Sequence, residues 1–242
     1  MAEWIMTGVP SEDPSCIHDM NELYSYIDEV GFIPLFKNDI EGFSVEEHSD
    51  PKYWWSDDPV RDQWIWRQYA ARDHKAAYGK FFGGKAGFIS LEWLPVFANF
   101  RRDGYDFDAL WDDELAQMRH KKVMDCFEEG GEYFSYEVKS KAGFGKDGLK
   151  NFEGIVTSLQ DKLYLTVSDF RQKKNKKGQA YGWNVALYMR PEDIWGYEAV
   201  TSEYRLDPEE SYGKIMERMK QLYPAADRKK LDQIIGKPKQ IL

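Results

Sequence analysis

Several features that would identify common classes of protein are missing from this sequence. No apolar run approaches the roughly 18 residues that a membrane-spanning helix needs. Cys16 and Cys126 are too few for a disulfide framework and do not have the spacing of a metal site, and no two histidines show a His-x-x-x-His spacing. The first residues lack the basic and then apolar pattern of a signal peptide. These absences predict a cytoplasmic protein without a membrane segment, metal or cofactor.

The motifs of common enzymes are also missing. The sequence has no Gly-x-Ser-x-Gly and no Walker loop. Residues 143–148 match Gly-x-Gly-x-x-Gly, but Gly143-Phe144-Gly145 is expected to lie in a turn between two helices, where glycine serves backbone geometry rather than phosphate binding. One segment is a candidate for catalysis, because Asp57, Asp58 and Asp62 lie among tryptophans and apolar rings can raise a carboxyl pKa enough for general acid or base chemistry. The structural alternative is that Asp58 caps a helix, Asp57 is solvated and the tryptophans belong to the core.

Positive charge is scarce at the start of the chain and concentrated later. Residues 1–60 contain two lysines and fourteen carboxylates, whereas residues 137–190 contain eleven lysines or arginines and five carboxylates. Five of these cations lie within residues 171–177, in a chain whose net charge is -9. Such an asymmetry indicates a local polyanion partner. The alternative is a solvated hairpin tip whose lysines favour solubility.

Capping and turn signals predict the elements of the first hundred residues. Asp58-Pro59 is expected to begin a helix that ends near Arg72, and Gly83-Gly84 is expected to form the turn of a hairpin. Ser90 is expected to cap the next helix, which Pro95 would kink. Large aromatic side chains are expected to form the core of this region.

The following region has the order of elements of a winged helix-turn-helix. A long helix is predicted over residues 107–129, a short one from Ser135 to Val138 and Lys139, and a third from Asp147 to Gln160. Alternating apolar residues then predict two strands on either side of the basic loop. The basic cluster would therefore lie on the wing.

Nucleic-acid contacts are predicted for the third helix, the residues before it and the wing. The outward side of a third helix meets the major groove in helix-turn-helix proteins, and flanking loops contact phosphates. The candidate residues are Lys139, Lys141, Lys146, Lys150, Asn151, Thr157, Arg171, Lys173, Lys174, Lys176 and Lys177.

The predicted fold class is α+β and mainly helical, with three regions. An N-terminal layer of aromatic-rich helices and a hairpin would span residues 1–105, and the winged-helix domain residues 106–196. A C-terminal helix pair would occupy residues 197–242, with Asp207-Pro208 as its strong start signal.

Three segments resemble the AlkZ-related family. Residues 64–100, with Tyr78-Gly79-Lys80 and Ile89-Ser90, look like its front half, residues 148–170 are similar to its third winged-helix element and first wing strand, and residues 215–236 resemble its closing helix pair. The better-characterised cousins are tandem winged-helix DNA glycosylases that open interstrand crosslinks. The resemblance therefore implies a winged-helix protein linked to DNA repair.

The sequence departs from those glycosylases at their proposed catalytic motif. They carry Gln-x-Gln or Gln-x-Asp near the beginning of the chain, and no such tripeptide occurs here. This difference favours binding of double-stranded DNA without glycosylase activity. Two alternatives stay open: an enzyme that acts on damaged bases, and a winged helix that binds another protein.

Overall fold

The computed structural model describes residues 5–238 as a mixed α/β fold, 44% helical and 17% strand, with two small antiparallel sheets. The helices in this range are α1 (Met20–Val30), α2 (Gln63–Asp73), α3 (Leu94–Arg102), α4 (Phe107–Asp112), α5 (Met118–Met124), α6 (Ser135–Lys141), α7 (Phe152–Asp161), α8 (Pro191–Trp195), α9 (Tyr197–Thr201), α10 (Pro208–Leu222) and α11 (Arg228–Ile235). The strands are β1 (Phe32–Pro34), β2 (Ala76–Phe82), β3 (Lys85–Ser90), β4 (Tyr133–Phe134), β5 (Thr166–Lys174) and β6 (Ala180–Met189).

The first sheet contains the predicted hairpin of β2 and β3, and its strand order is β1-β3-β2. Gly83 and Gly84 form the turn with φ values of 59° and 79°, which a residue without a Cβ adopts at little cost. Gly79 is required for another reason. A Cβ on Gly79 would lie 2.7 Å from the Phe81 ring and 3.1 Å from Gln160 Oε1, so a side chain there would clash with Phe81 and also crowd Gln160 of α7.

Two predicted helix starts in this layer are wrong by a few residues. Asp58 Oδ1 accepts hydrogen bonds from the backbone N–H groups of Val60 and Arg61, so it caps a turn. The N-cap of α2 is Asp62, which accepts from Trp64 N at 2.9 Å. Likewise α3 begins at Leu94, so Pro95 lies in its first turn and causes no kink in the helix interior.

The single helix predicted over residues 107–129 is also wrong, because α4 and α5 replace it. Glu114, between them, has a φ of 60°, which ends a right-handed helix. Leu115 and Met118, two of the apolar positions that suggested one continuous stripe, are 58% and 57% exposed. The apolar spacing was therefore a chance match to the helical period.

The second sheet has the order β4-β6-β5 and contains the predicted hairpin of β5 and β6, which is named the wing here after its predicted role. The sequence did not predict β4, which has only two residues and pairs Tyr133 with Tyr188 and Phe134 with Leu187. Along this part of the chain the elements follow one another as α5, β4, α6, α7, β5 and β6.

Two buried arginines at the end of α3 connect distant parts of the chain. Arg101 donates to the carbonyl oxygens of Asp161 at 2.6 Å and Ile235 at 3.2 Å. Arg102 forms an ion pair with Glu192 and donates to Tyr204 Oη at 3.0 Å. Burial lowers the pKa of Arg102, but the Glu192 carboxylate and Tyr204 outweigh this effect and the net shift is upward.

One hydrophobic cluster extends through all three predicted regions. It includes Phe97 of α3, Val138 of α6 and Ile215 of α10, each fully buried. The division at residues 105 and 196 stays a prediction, and residues 1–4 and 239–242 of its outer regions lie outside the described residues. Over residues 5–238, no helix combines the length and apolar character needed to cross a membrane.

Replacing Arg102 by Ala should lower the free energy of unfolding by about 3 kcal/mol. The Glu192 carboxylate would lose its ion-pair partner, and Tyr204 Oη would lose a hydrogen-bond donor. Urea unfolding measures this change. Arg72→Ala is the matched control, since the Arg72 side chain is 58% exposed and should contribute less than about 0.5 kcal/mol. Equal effects of the two changes would contradict the structural role of Arg102.

Stability at acid pH should depend on His120 of α5, whose ring faces α7. Burial lowers the pKa of His120 and the Lys162 cation lowers it further, while its Nε2 lies 3.2 Å from Ser158 Oγ. The unfolded chain therefore takes up this proton more readily, so the folded state loses stability as the pH falls through about 6.5. In urea unfolding at pH 7.5 and 5.5, His120→Gln should reduce this loss.

His18 provides the control of opposite sign. Its hydrogen bonds with the Ser11 carbonyl and the Glu22 carboxylate raise the pKa of His18, so protonation favours the folded state below that pKa. His18→Gln should therefore increase the loss of stability on acidification. If both variants follow the wild type, neither histidine contributes to the pH dependence.

Candidate nucleic-acid interface

The tip of the wing is an ordered turn that presents three lysines to solvent. Asn175 organises the turn, because its Oδ1 accepts from the backbone N–H groups of Lys177 at 2.9 Å and Gln179 at 3.1 Å. Lys174, Lys176 and Lys177 are exposed, and none of them has an ion-pair partner in residues 5–238. Their charges are therefore free to attract an anion.

Arg171, at the base of the wing, differs from these lysines. Its guanidinium forms ion pairs with Glu132 and with Asp169, the latter at 2.8 Å. Glu132 also accepts a hydrogen bond from Ser168 Oγ at 2.7 Å. The paired carboxylates offset the charge of Arg171, so its main visible effect is to hold β5 against the segment before β4. The nucleic-acid contact suggested for Arg171 stays a prediction.

Lys173 connects the wing to α6 through an aromatic surface. Its Nζ lies 4.6 Å from the centroid of the Tyr136 ring, which stacks on Phe134 at 5.1 Å. A cation over an exposed ring contributes about 0.5–1 kcal/mol. Lys139 lies three residues after Tyr136 and so on the same side of α6. Lys173, Tyr136 and Lys139 together form a strip, named here the α6 strip, that continues from the wing.

The other two predicted residues around α6 and the following loop point to different neighbours. Lys141 Nζ lies 4.1 Å from the Tyr133 ring centroid. Lys146 is exposed in the loop that follows, and its carbonyl accepts a hydrogen bond from Lys150 Nζ. Lys139 Nζ, by contrast, lies 4.0 Å from Glu153 Oε1 on α7. The predicted lysines of this segment thus surround the start of α7 without forming one cluster.

The third helix begins at Phe152, five residues later than expected. Lys150 precedes it, and its Nζ donates to the Gly145 carbonyl at 2.8 Å. Asn151 adopts a left-handed conformation with φ of 67°. A Cβ on Gly154 would lie 2.5 Å from Asn151 Oδ1, so Gly154 makes room for the Asn151 side chain. The predicted positions of Lys150 and Asn151 on a helical face are therefore wrong, and their nucleic-acid contacts stay predictions.

Beyond its first turn, α7 is partly covered by two other elements. Thr157 Oγ1 accepts from Lys80 Nζ at 3.4 Å, and Gln160 Oε1 accepts from Lys80 N at 3.1 Å, both on the β2 side. On the other side Ser158 contacts His120 of α5. The expected outward face is thus only partly exposed: Gly154 is exposed as predicted, whereas Thr157 and Ser158 are half-buried. The fully exposed residues of α7 are Glu153 and Gly154, and the nucleic-acid contact of Thr157 stays a prediction.

The three aspartates suggested for catalysis occupy different environments. Asp57 is exposed, Asp58 caps a turn, and Asp62 is 3% exposed. Burial raises the pKa of Asp62, although backbone N–H groups of Trp55 and Trp64 donate to Oδ1 at 3.0 and 2.9 Å and oppose that shift. Since one of its oxygens caps α2 in this way, the geometry supports a structural role. A catalytic role of these aspartates stays a prediction.

A buried cation next to Asp62 was missed in the sequence. The Arg67 guanidinium lies between the Trp64 and Phe170 rings, 3.7 and 4.3 Å from their centroids. Burial lowers the pKa of Arg67, and the Tyr78 hydroxyl partly offsets this shift. Phe170 belongs to β5, so Arg67 fixes α2 against the base of the wing. The position of Arg67 within a tryptophan-rich helix is the sequence signal that could have indicated a cation packed between rings.

Over residues 5–238, no group of three or more His, Cys, Asp or Glu side chains is arranged to hold a metal.

The chain was compared with protein-family models, curated proteins and solved structures. A family model described as AlkZ related matches residues 17–236, and so confirms the resemblance found in three segments of the sequence. Neither the curated proteins nor the solved structures gave a match.

Asp62→Ala should lower the free energy of unfolding by about 1–2 kcal/mol, because α2 would lose its N-cap. Asp62→Asn should retain most of the stability, since Asn also caps helices, and Asp57→Ala should change it little. Thermal or urea unfolding compares the three variants. The capping role would be excluded if Asp62→Ala were as stable as Asp57→Ala.

Proposed function

The chain belongs to the AlkZ-related family, and on that premise we propose that it binds double-stranded DNA through a winged-helix domain. The main contacts are made by the wing-tip lysines, Lys174, Lys176 and Lys177, and by the α6 strip. The observation that carries the proposal is the exposure of these three lysines without a carboxylate partner in the described residues. A role in DNA repair follows from the resemblance to crosslink glycosylases, and a cytoplasmic location stays a prediction.

The order of elements supports the winged-helix assignment. The three helices α5, α6 and α7 precede the hairpin of β5 and β6, and the short β4 between α5 and α6 adds a third strand beside β6. This is the order that the sequence predicted from Ser135 onwards. The basic cluster, residues 171–177, lies at the end of β5 and in the turn that follows, as expected for a cluster on the wing.

The covered position of α7 changes how such a domain would bind. In helix-turn-helix proteins the third helix reads base edges in the major groove. Here Glu153 and Gly154 are the exposed residues of α7, and Glu153 carries the same charge as the phosphates. We therefore assign binding mainly to phosphate contacts by lysines, which are independent of sequence and sensitive to salt.

The acidic part of the chain limits the area that DNA can cover. Residues 1–60 carry two lysines and fourteen carboxylates, so a duplex that extended over them would meet repulsion. The proposed footprint is accordingly short and confined to the wing and α6. Modest affinity is expected, with little preference among duplex sequences.

Replacing Lys174, Lys176 and Lys177 by Ala should weaken binding to a short duplex and flatten its salt dependence. Each lost phosphate contact should reduce the slope of log K against log salt by about 0.9. Fluorescence anisotropy of a labelled duplex at several salt concentrations measures both quantities. Lys37, Lys220 and Lys229, which are exposed and distant in sequence from the wing, provide a control triple variant with the same change in net charge.

The proposal requires the two triple variants to differ. If both lose the same affinity, binding follows net charge and the wing has no special part. If the wild type binds no duplex under low salt, the function is not DNA binding, and co-purified polypeptides identified by mass spectrometry would support the protein-binding alternative instead.

A further inference from the structure

The most exposed large aromatic side chain of the described residues lies on the wing. Trp183 on β6 is 93% exposed, whereas the other exposed tryptophan in residues 5–238, Trp55, is 50% exposed and contacts the Trp54 and Trp64 rings. Within residues 5–238, the Trp183 indole makes no hydrogen bond, no contact with another aromatic ring and no contact with a cation. A tryptophan side chain buries about 150–250 Å² when it packs, so leaving it in water forgoes a large apolar contribution.

The backbone around Trp183 is held in place although its side chain is free. Tyr181 pairs with Lys173 and Val185 with Arg171, so the three residues between them lie opposite Gln172 alone. Gln172 Nε2 donates to the carbonyl oxygen of Gly182 at 2.7 Å, and Gly182 has a φ of 75°. Irregularities of this kind in a strand pair redirect a side chain.

A second contact fixes the other side of the irregular segment. Asn184 Nδ2 donates to Gln68 Oε1 of α2 at 2.6 Å, which ties β6 to the helix that also carries Arg67. Trp183 therefore lies between two residues, Gly182 and Asn184, that are each restrained by a hydrogen bond. The segment presents the indole from a fixed support, which reduces the entropy lost when a partner covers it.

Resting on the proposed function, we propose that Trp183 stacks on an unpaired base of a duplex that contains a gap or a bulge. The flat apolar face of an indole matches a nucleobase, and such stacking is the usual way in which proteins hold unstacked bases. A base inside an intact duplex has both faces covered by its neighbours. An unpaired nucleotide has a face that the indole can take.

The charges beside Trp183 favour a nucleic acid over an uncharged apolar partner. Lys173 and Lys174 lie on the adjacent strand, and Lys176 and Lys177 lie at the tip. Gly178 in the turn and Trp183 are five residues apart, at most about 17 Å along an extended strand. This length equals about five base-pair steps at 3.4 Å each. The tip can therefore hold phosphates of a paired segment while Trp183 reaches a nearby unpaired base.

The test compares two DNA ligands that carry equal numbers of phosphates within the footprint, a fully paired duplex and a duplex with one unpaired 2-aminopurine. The wild type should bind the second more tightly and quench its fluorescence. Trp183→Ala should weaken binding of the second ligand about 5-fold or more and leave the first nearly unchanged. Trp183→Phe should restore part of the affinity and quenching, because it keeps an aromatic ring. Trp55→Ala is the control for the loss of another exposed indole.

The outcomes separate this proposal from the proposed function. If Trp183→Ala binds both ligands as the wild type does, or weakens both equally, Trp183 does not recognise an unpaired base, while the salt dependence contributed by the wing lysines still supports duplex binding. If the wild type binds neither ligand, both proposals fail. A circular dichroism spectrum equal to that of the wild type verifies that Trp183→Ala is folded.

Discussion

The surface that the chain can offer to a partner depends on how α7 is packed. Gln160 accepts a hydrogen bond from the backbone of Lys80, and the lack of a side chain at Gly79 leaves room for the Phe81 ring and for Gln160. This contact joins the hairpin of the N-terminal layer to a helix that a typical helix-turn-helix protein would leave exposed. Because α7 is partly covered after its first turn, we assign DNA binding to cations of the wing and of α6.

The wing is held to the rest of the molecule by two arginines whose guanidinium groups already have partners within the protein. Arg171 is paired with Glu132 and Asp169, and Arg67 is enclosed by Trp64 and Phe170. These residues fix the base of the hairpin from opposite sides, one through the segment before β4 and one through α2. The lysines of the tip have no such partners in the described residues. The chain thus separates structural cations at the base of the wing from free cations at its end.

The sequence predicted those features that depend on neighbours in the chain. The wing hairpin, the β2–β3 turn and α6 follow from alternating apolar residues, from glycine pairs and from helix-forming runs, and the structure contains each of them. The start of α7 was missed because Leu149 fits the apolar spacing of the helix, whereas the left-handed Asn151 prevents the helix from beginning before Phe152. The covering of α7 joins residues 80 positions apart, and no local pattern reports such a contact. The sequence likewise gave no signal that Trp183 is exposed, since most tryptophans of residues 5–238 lie in the hydrophobic core or pack against it.

The central claim is that DNA meets the wing tip and the α6 strip but not the covered part of α7. Amide chemical shifts in two-dimensional NMR, followed while a short duplex is added to the labelled protein, test this directly. The account predicts that the largest shifts occur at residues 174–179 and around Tyr136 and Lys139, with little change at residues 155–161 or in the acidic residues 1–60. Shifts centred on residues 155–161 or on the Asp62 segment would contradict it.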